Sequence, residues 1–196
     1  MTLTVPDSDL ATGATTLARS VEPGFLVEHS FRTFHLGAAL LSAAGQRFDA
    51  EILYVASMLH DIALGTKLDD DVTPFNLRGA ALAAQHVLEV GRSDRDAQLV
   101  YDAIALHLDL STSQDERPEV VGVHIGAAAD VVGLNISDIS PAVLEALLAE
   151  HPRQGMKAAF AEVVEAEATK KPYSESAALV RNLSFVLLIN AAPFDE

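Results

Sequence analysis

Four polar side chains stand among small and apolar neighbours: His29 in VEHSFR, His60 and Asp61 side by side in ASMLHDIALG, and Asp130 in GAAADVVG. A carboxylate in such surroundings is costly unless it is hydrogen-bonded, ion-paired or bound to a cation. A single histidine on an apolar face is ordinarily a hydrogen-bonded core residue, and an adjacent His and Asp at a helix end can act as a cap. A cap at His60 and Asp61 still leaves Asp130 unexplained. If the four side chains meet, two imidazoles and two carboxylates make a donor set suited to zinc, iron, manganese or another divalent ion, with coordination positions to spare. Such an ion in a dry pocket brings the pKa of water down to about 7 and makes hydroxide available at neutral pH. The chain has no cysteine, so its metal donors are nitrogen and oxygen. His107, in AIALHLDL, is a further candidate, while His35, His86, His124 and His151 read as structural.

Helices have to carry these groups. Hydrophobic residues make up 49% of the 196 and charged ones 21%, enough to build one packed core. Alanine and leucine are abundant, aromatics are few and tryptophan is absent, which favours helix over sheet. Ser20 and Pro23 open a long helix, FLVEHSFRTFHLGAALLSAAG, with Gly45 as its stop. Asp49 caps AEILYVASMLHDIAL, which is apolar almost all round and therefore central. Residues 65–74 hold Lys67 and an acidic run without apolar periodicity, a loop. A helix over 75–90 ends at Gly91, and Ser93 caps DRDAQLVYDAIALHLDL. Pro118 opens EVVGVHIGAAADVVG, which is Val-rich, yet long and small enough in side chain for a packed helix. Ser140 and Pro141 start another helix, and two more are expected between Pro152 and Ala192, split near Lys171 and Pro172. The expectation is a single all-α domain over 21–196, preceded by an N-terminal arm or short helix over 1–20. Polar groups on separate helices can then meet only inside the bundle.

Thirteen Lys plus Arg against 28 Asp plus Glu give a net charge of −15, which repels nucleic-acid backbones and anionic bilayers alike. No apolar run is long enough to span a membrane, and the opening MTLTVPDSDL has neither a basic nor an apolar signal region. A cytoplasmic location is expected, with no nucleic-acid or membrane partner.

The ordered set His29, His60 with Asp61, and Asp130 resembles the H…HD…D signature of the HD-domain superfamily of metal-dependent hydrolases, over about residues 25–135. Within it, several stretches are similar to the cyanamide hydratase-like branch: EHSFR to its HSxR motif, PFNLRGA to the segment ahead of its third helix, AIALHLD to its AIxxHxD motif, and ADVVG to its closing Asp and Gly. The resemblance implies an HD-type helical bundle in which His29, His60, Asp61 and Asp130 are metal ligands. It makes Arg32, one turn from His29 on the same face, a substrate-side cation, and His107 an acid/base or outer-shell group. Two-metal members carry an additional His where this chain has Phe75 and Asn76, which implies a single ion. The hydratase branch has Phe then Glu there, so Asn76 implies a pocket of different polarity.

An enzyme is therefore expected: a mononuclear metal-dependent hydrolase or hydratase acting on a small soluble molecule, nitrile- or cyanamide-like. Zinc is the first choice of ion, with iron, manganese, cobalt or nickel as alternatives. His107 or Asp61 would move the proton, and Arg32 would orient substrate or stabilise negative charge. The second reading is a phosphohydrolase acting on a nucleotide or other phosphomonoester, with Arg32, Lys67 and Arg78 as its cations. The third is a non-catalytic, metal-stabilised binding module. The apolar stretch AALVRNLSFVLLINAAPF can pack on the core or on a second copy in a homo-oligomer, and both uses stay open.

Overall fold

The computed structural model describes residues 4–196, and the regular structure among the described residues is entirely helical. Residues 1–3, the start of the expected N-terminal arm, lie outside the described residues. Ser8 caps α1 (Asp9–Val21) by accepting from the Ala11 amide, and Leu10, Ala11, Ala14 and Ala18 form its buried stripe. α2 (Gly24–Ala43) follows, and the chain turns at Gly45, whose φ of 71° is left-handed. Asp49 Oδ1 then takes the Glu51 and Ile52 amides at the start of α3 (Ala50–Leu59). α3 is buried without interruption from Ile52 to Leu59, the central position its all-round apolarity implies.

Beyond the acidic loop come α4 (Phe75–Glu89) and α5 (Asp94–Ala105), the second capped by Ser93. α6 (Pro118–Val132) is the packed helix expected of the Val-rich stretch, opened by Pro118 and ended by Gly133 at φ 76°. Ser140 caps α7 (Pro141–Glu150). Three helices, not two, then complete the chain: α8 (Met156–Lys170), α9 (Glu175–Leu183) and α10 (Phe185–Ala191). The extra break falls at Ser184, whose φ of 52° is left-handed. Leu183 and Phe185 flank it and neither Gly nor Pro marks it, so the pattern reads as continuous. No helix among the described residues is long and apolar enough to cross a membrane.

α2 and α6 cross within backbone contact, and glycine makes it possible. A Cβ on Gly37 would lie 2.3 Å from the Gly122 carbonyl oxygen, and one on Gly126 would lie 2.2 Å from that of Thr33. Contacts thus run Gly37 to Gly122 and Thr33 to Gly126, four residues apart on each helix and in opposite directions. One step further the same register brings His29 against Asp130, with Nδ1 and Oδ2 at 2.7 Å. Backbone contact across small residues is therefore what sets an imidazole on one helix against a carboxylate on the other.

Gly126→Ala forces a side chain into the opposing backbone. We expect a loss of about 1–3 kcal/mol, a Tm decrease on the order of 2–12 °C, and a reduced metal-to-protein ratio as His29 and Asp130 separate. Thermal melts paired with elemental analysis check this, and an unchanged Tm would contradict the close crossing.

His35, also on α2, is buried with its Nδ1 unpartnered. Burial first, then the nearby His151, push its pKa from 6.5 to about 4, against the opposing pull of Glu150. The unfolded chain takes up this proton near 6.5 whereas the folded chain resists until about 4. The stability contribution is thus whole above pH 6.5 and lost as pH falls toward 4. Between pH 7 and 5, Tm should fall less steeply in His35→Phe than in the native protein; parallel slopes would refute the assignment.

Candidate metal centre

The last carbonyls of a helix lack intrahelical partners and are open to side chains. Just past α3, His60 Nδ1 donates to the Ser57 carbonyl at 2.7 Å. His107 repeats the device past α5, its Nδ1 donating to the Ile104 carbonyl at 2.6 Å. A carbonyl only accepts, so in both rings the proton sits on Nδ1 and Nε2 carries the lone pair. His29 Nδ1 donates to the Asp130 carboxylate, which again leaves Nε2 bare. Burial by itself would raise the Asp130 carboxyl, but the Arg32 guanidinium and the His29 hydrogen bond outweigh it and hold the group well below the usual range, ionised.

These lone pairs converge. His29 Nε2 lies 3.1 Å from His60 Nε2 and 3.5 Å from Asp61 Oδ2, and His60 Nε2 lies 3.3 Å from the same oxygen. Asp61 Oδ2 is buried and receives no hydrogen bond. Three potential electron-pair donors thus face one another in the interior, a crowding that a cation among them would relieve. Ligands about 2.1 Å from one ion stand about 3.0 Å apart at octahedral and 3.4 Å apart at tetrahedral angles. The observed spacings are of that size, so His29, His60 and Asp61 fit a divalent ion. Three protein ligands with positions left open are the arrangement of a catalytic rather than a structural site.

Burial, then the neighbouring His29, lowers His60 to about 3; burial, then His60, lowers His107 to about 4. Both imidazoles are therefore neutral and able to donate lone pairs at pH 7. Burial raises the Asp61 carboxyl, with His29 and His107 opposing. His107 Nε2 stands 3.8 Å from Asp61 Oδ1, the other oxygen of the same carboxylate.

Two expected roles are placed differently. The Asp130 carboxylate is not among the converging atoms; it stands behind His29, where a carboxylate fixes the ring orientation and raises the basicity of a ligand. Arg32 is fully buried and turned toward α6. Its Nε meets Asp130 Oδ1 at 2.8 Å, its Nη2 meets Oδ2 at 3.0 Å, and its Nη1 donates to the His151 and Pro152 carbonyls. The helix turn that puts Arg32 on the face of His29 also turns it toward the charge on α6. Arg153, which sequence reasoning missed, completes the clamp at 2.8 Å from Asp130 Oδ1. It lies in the polar turn HPRQG, where nothing in the pattern marks it as buried.

The donor atoms open on a cavity of about 250 Å³. His29, His60, Asp61 and His107 form its polar part, and most of the remaining wall is carbon, from Phe75, Val131, Phe160, Leu183, Phe185 and Leu188 among others. His124, read from sequence as structural, also borders it and donates Nδ1–H to the His107 carbonyl. Among the described residues, no lysine or arginine lines the wall. Lys67 and Arg78 point elsewhere, toward the carbonyls of Ser20 and Leu68. Asn76 does not border the cavity; its Nδ2 ties the Ala105 carbonyl, at the end of the helix that carries His107, to Glu175. A wider depression of about 580 Å³ between α1 and α4 holds His86 but none of the converging donors.

An all-helical bundle enclosing neutral imidazoles and a carboxylate around an open coordination position is the framework of a metal-dependent hydrolase. The HD domain matches residues 26–135, more than half of the chain, and the protein belongs to that family. Among characterised proteins it is similar to cyanamide hydratase DDI2 and cyanamide hydratase DDI3 of Saccharomyces cerevisiae, each 28% identical over 169 residues, covering 84% of this chain and 75% of the relative.

Arg32→Met leaves Asp130 buried with one guanidinium fewer, a change that costs about 3–5 kcal/mol. A Tm loss on the order of 10 °C together with lost metal is the expected result. A variant with native Tm and full metal but a raised KM would return Arg32 to the substrate side.

Proposed function

We propose that the protein hydrates a small neutral molecule bearing a carbon–nitrogen triple bond, of the cyanamide or nitrile kind, at a single divalent ion, with zinc the best match to the donor set. The observation that carries this reading is the cavity wall: mostly carbon, and among the described residues free of lysine and arginine. A phosphomonoester needs several cations around its phosphate, and the three that the sequence offered lie elsewhere. The similarity to two proteins named as cyanamide hydratases supports the same choice. Zinc suits a site of nitrogen and oxygen donors with one position open. A single ion suits a site whose neighbouring position is the apolar Phe75.

When bound, the ion supplies Lewis acidity and brings the ionisation of water toward neutral pH. The chain's own groups handle the proton. His107 Nε2 has a lone pair because Nδ1–H is held by the Ile104 carbonyl, and its low proton affinity lets it release what it takes up. Asp61 Oδ1, 3.8 Å away, stabilises the ring while it is charged. The Asp130 carboxylate keeps His29 in one tautomer throughout. Carbon walls exclude bulk water and so strengthen every interaction with developing charge.

Protein purified without chelator should carry about one zinc per chain, form urea from cyanamide, and release no phosphate from a nucleoside monophosphate panel. Phosphate release by a preparation that leaves cyanamide untouched would overturn this reading.

A further inference from the structure

The cavity is much larger than cyanamide and lined by the wrong chemistry for so polar a molecule. Its volume is about 250 Å³, whereas cyanamide occupies about the space of two waters at roughly 30 Å³ each. A substrate that small would touch the donor atoms and leave the carbon walls unfilled. Much of that wall comes from beyond the family match, which ends at residue 135. α8 contributes Phe160 and Val164, and α9 and α10 with the Ser184 break between them contribute Leu183, Phe185 and Leu188. Leu110, Leu134, Leu183 and Leu188 border the cavity yet are 61%, 47%, 42% and 45% exposed, so its mouth is a rim of partly wetted leucines. Exposed apolar side chains around a cavity gain when an apolar group covers them.

Resting on the hydratase reading above, we infer that the substrate carries an apolar substituent: an organic nitrile or N-substituted cyanamide whose alkyl or aryl group fills the cavity between α6, α8, α9 and α10. The substituent seats against carbon, and the triple bond reaches the donor atoms. Water then adds across it: a carbon–oxygen bond forms while one carbon–nitrogen π pair goes to nitrogen and takes the first water proton, and the second π pair then takes the remaining O–H proton as the carbon–oxygen double bond forms. The product is the amide, or the N-substituted urea, and no oxidant or reductant takes part.

The test is kcat/KM of the metal-loaded protein for cyanamide, N-methyl-, N-butyl- and N-benzylcyanamide. Burying hydrocarbon in the cavity should raise kcat/KM by about threefold per methylene, so that the butyl and benzyl compounds exceed cyanamide more than tenfold. Leu188→Asp, which sets a charge at the mouth, should bring that ratio down toward one. Rates that are flat or fall along the series, with cyanamide itself turned over, overturn the apolar-substrate inference and leave the hydratase reading standing. A fully metal-loaded protein that turns over none of the four overturns the hydratase reading and this inference with it. A native ratio in a folded Leu188→Asp also counts against the cavity as the seat of the substituent.

Discussion

A fully buried carboxylate has to be compensated from every side, and Asp130 is compensated from three. His29 comes from the facing helix, Arg32 from one turn along it, and Arg153 from the chain that leads into α8. Two of the partners lie on α2 and the third on the turn before α8, so the charge on Asp130 works as a constraint on how distant stretches fold together. α2 and α6 must cross within backbone contact for His29 to reach it, which is why Gly37 and Gly126 admit no side chain there. The chain after α7 must also return to place Arg153, and that return starts α8 on its course along the cavity. Removing any of these partners would leave a buried charge under-compensated, a large penalty.

The same economy governs the histidines. His60 and His107 each stand just past a helix end and donate Nδ1–H to the carbonyl three residues back. The unsatisfied carbonyls of two helix termini thereby choose the tautomers, and both rings aim lone pairs inward. Burial then removes the option of escaping repulsion by protonation, since it disfavours the imidazolium form. What is left is a cluster whose mutual repulsion a cation relieves. Ion binding is for that reason coupled to the stability of the bundle as well as to its chemistry.

Much of this was legible in the residues. Caps at Asp49, Ser93 and Ser140 and stops at Gly45 and Gly91 place helix boundaries because local chemistry decides them. His29, His60 and Asp61 betray themselves as polar groups in apolar stretches. Asp130 did so too, but a lone carboxylate in such a setting does not say whether it touches the ion or holds a residue that does. For Arg32 a related limit holds: spacing gives the face of a helix, not what the opposite helix presents to it. Arg153 could not be found, since its burial depends on a chain reversal that has no periodicity. The Ser184 break was invisible because a left-handed serine between apolar residues leaves no glycine or proline to mark it.

Charge at two scales argues toward the same kind of substrate. The chain carries −15 overall, so an anion is repelled on approach. Inside, a cavity wall without lysine or arginine offers nothing to replace the water an anion would shed. A neutral molecule with a triple bond meets neither obstacle. It is weakly hydrated before reaction, and negative charge appears on its nitrogen only as water adds to the neighbouring carbon. Carbon walls that make anions unwelcome in the ground state lower the dielectric just where that charge develops, so the compensating groups at the centre act most strongly in the transition state. Under the proposed function, selectivity against phosphates and assistance to hydration would be two effects of one wall.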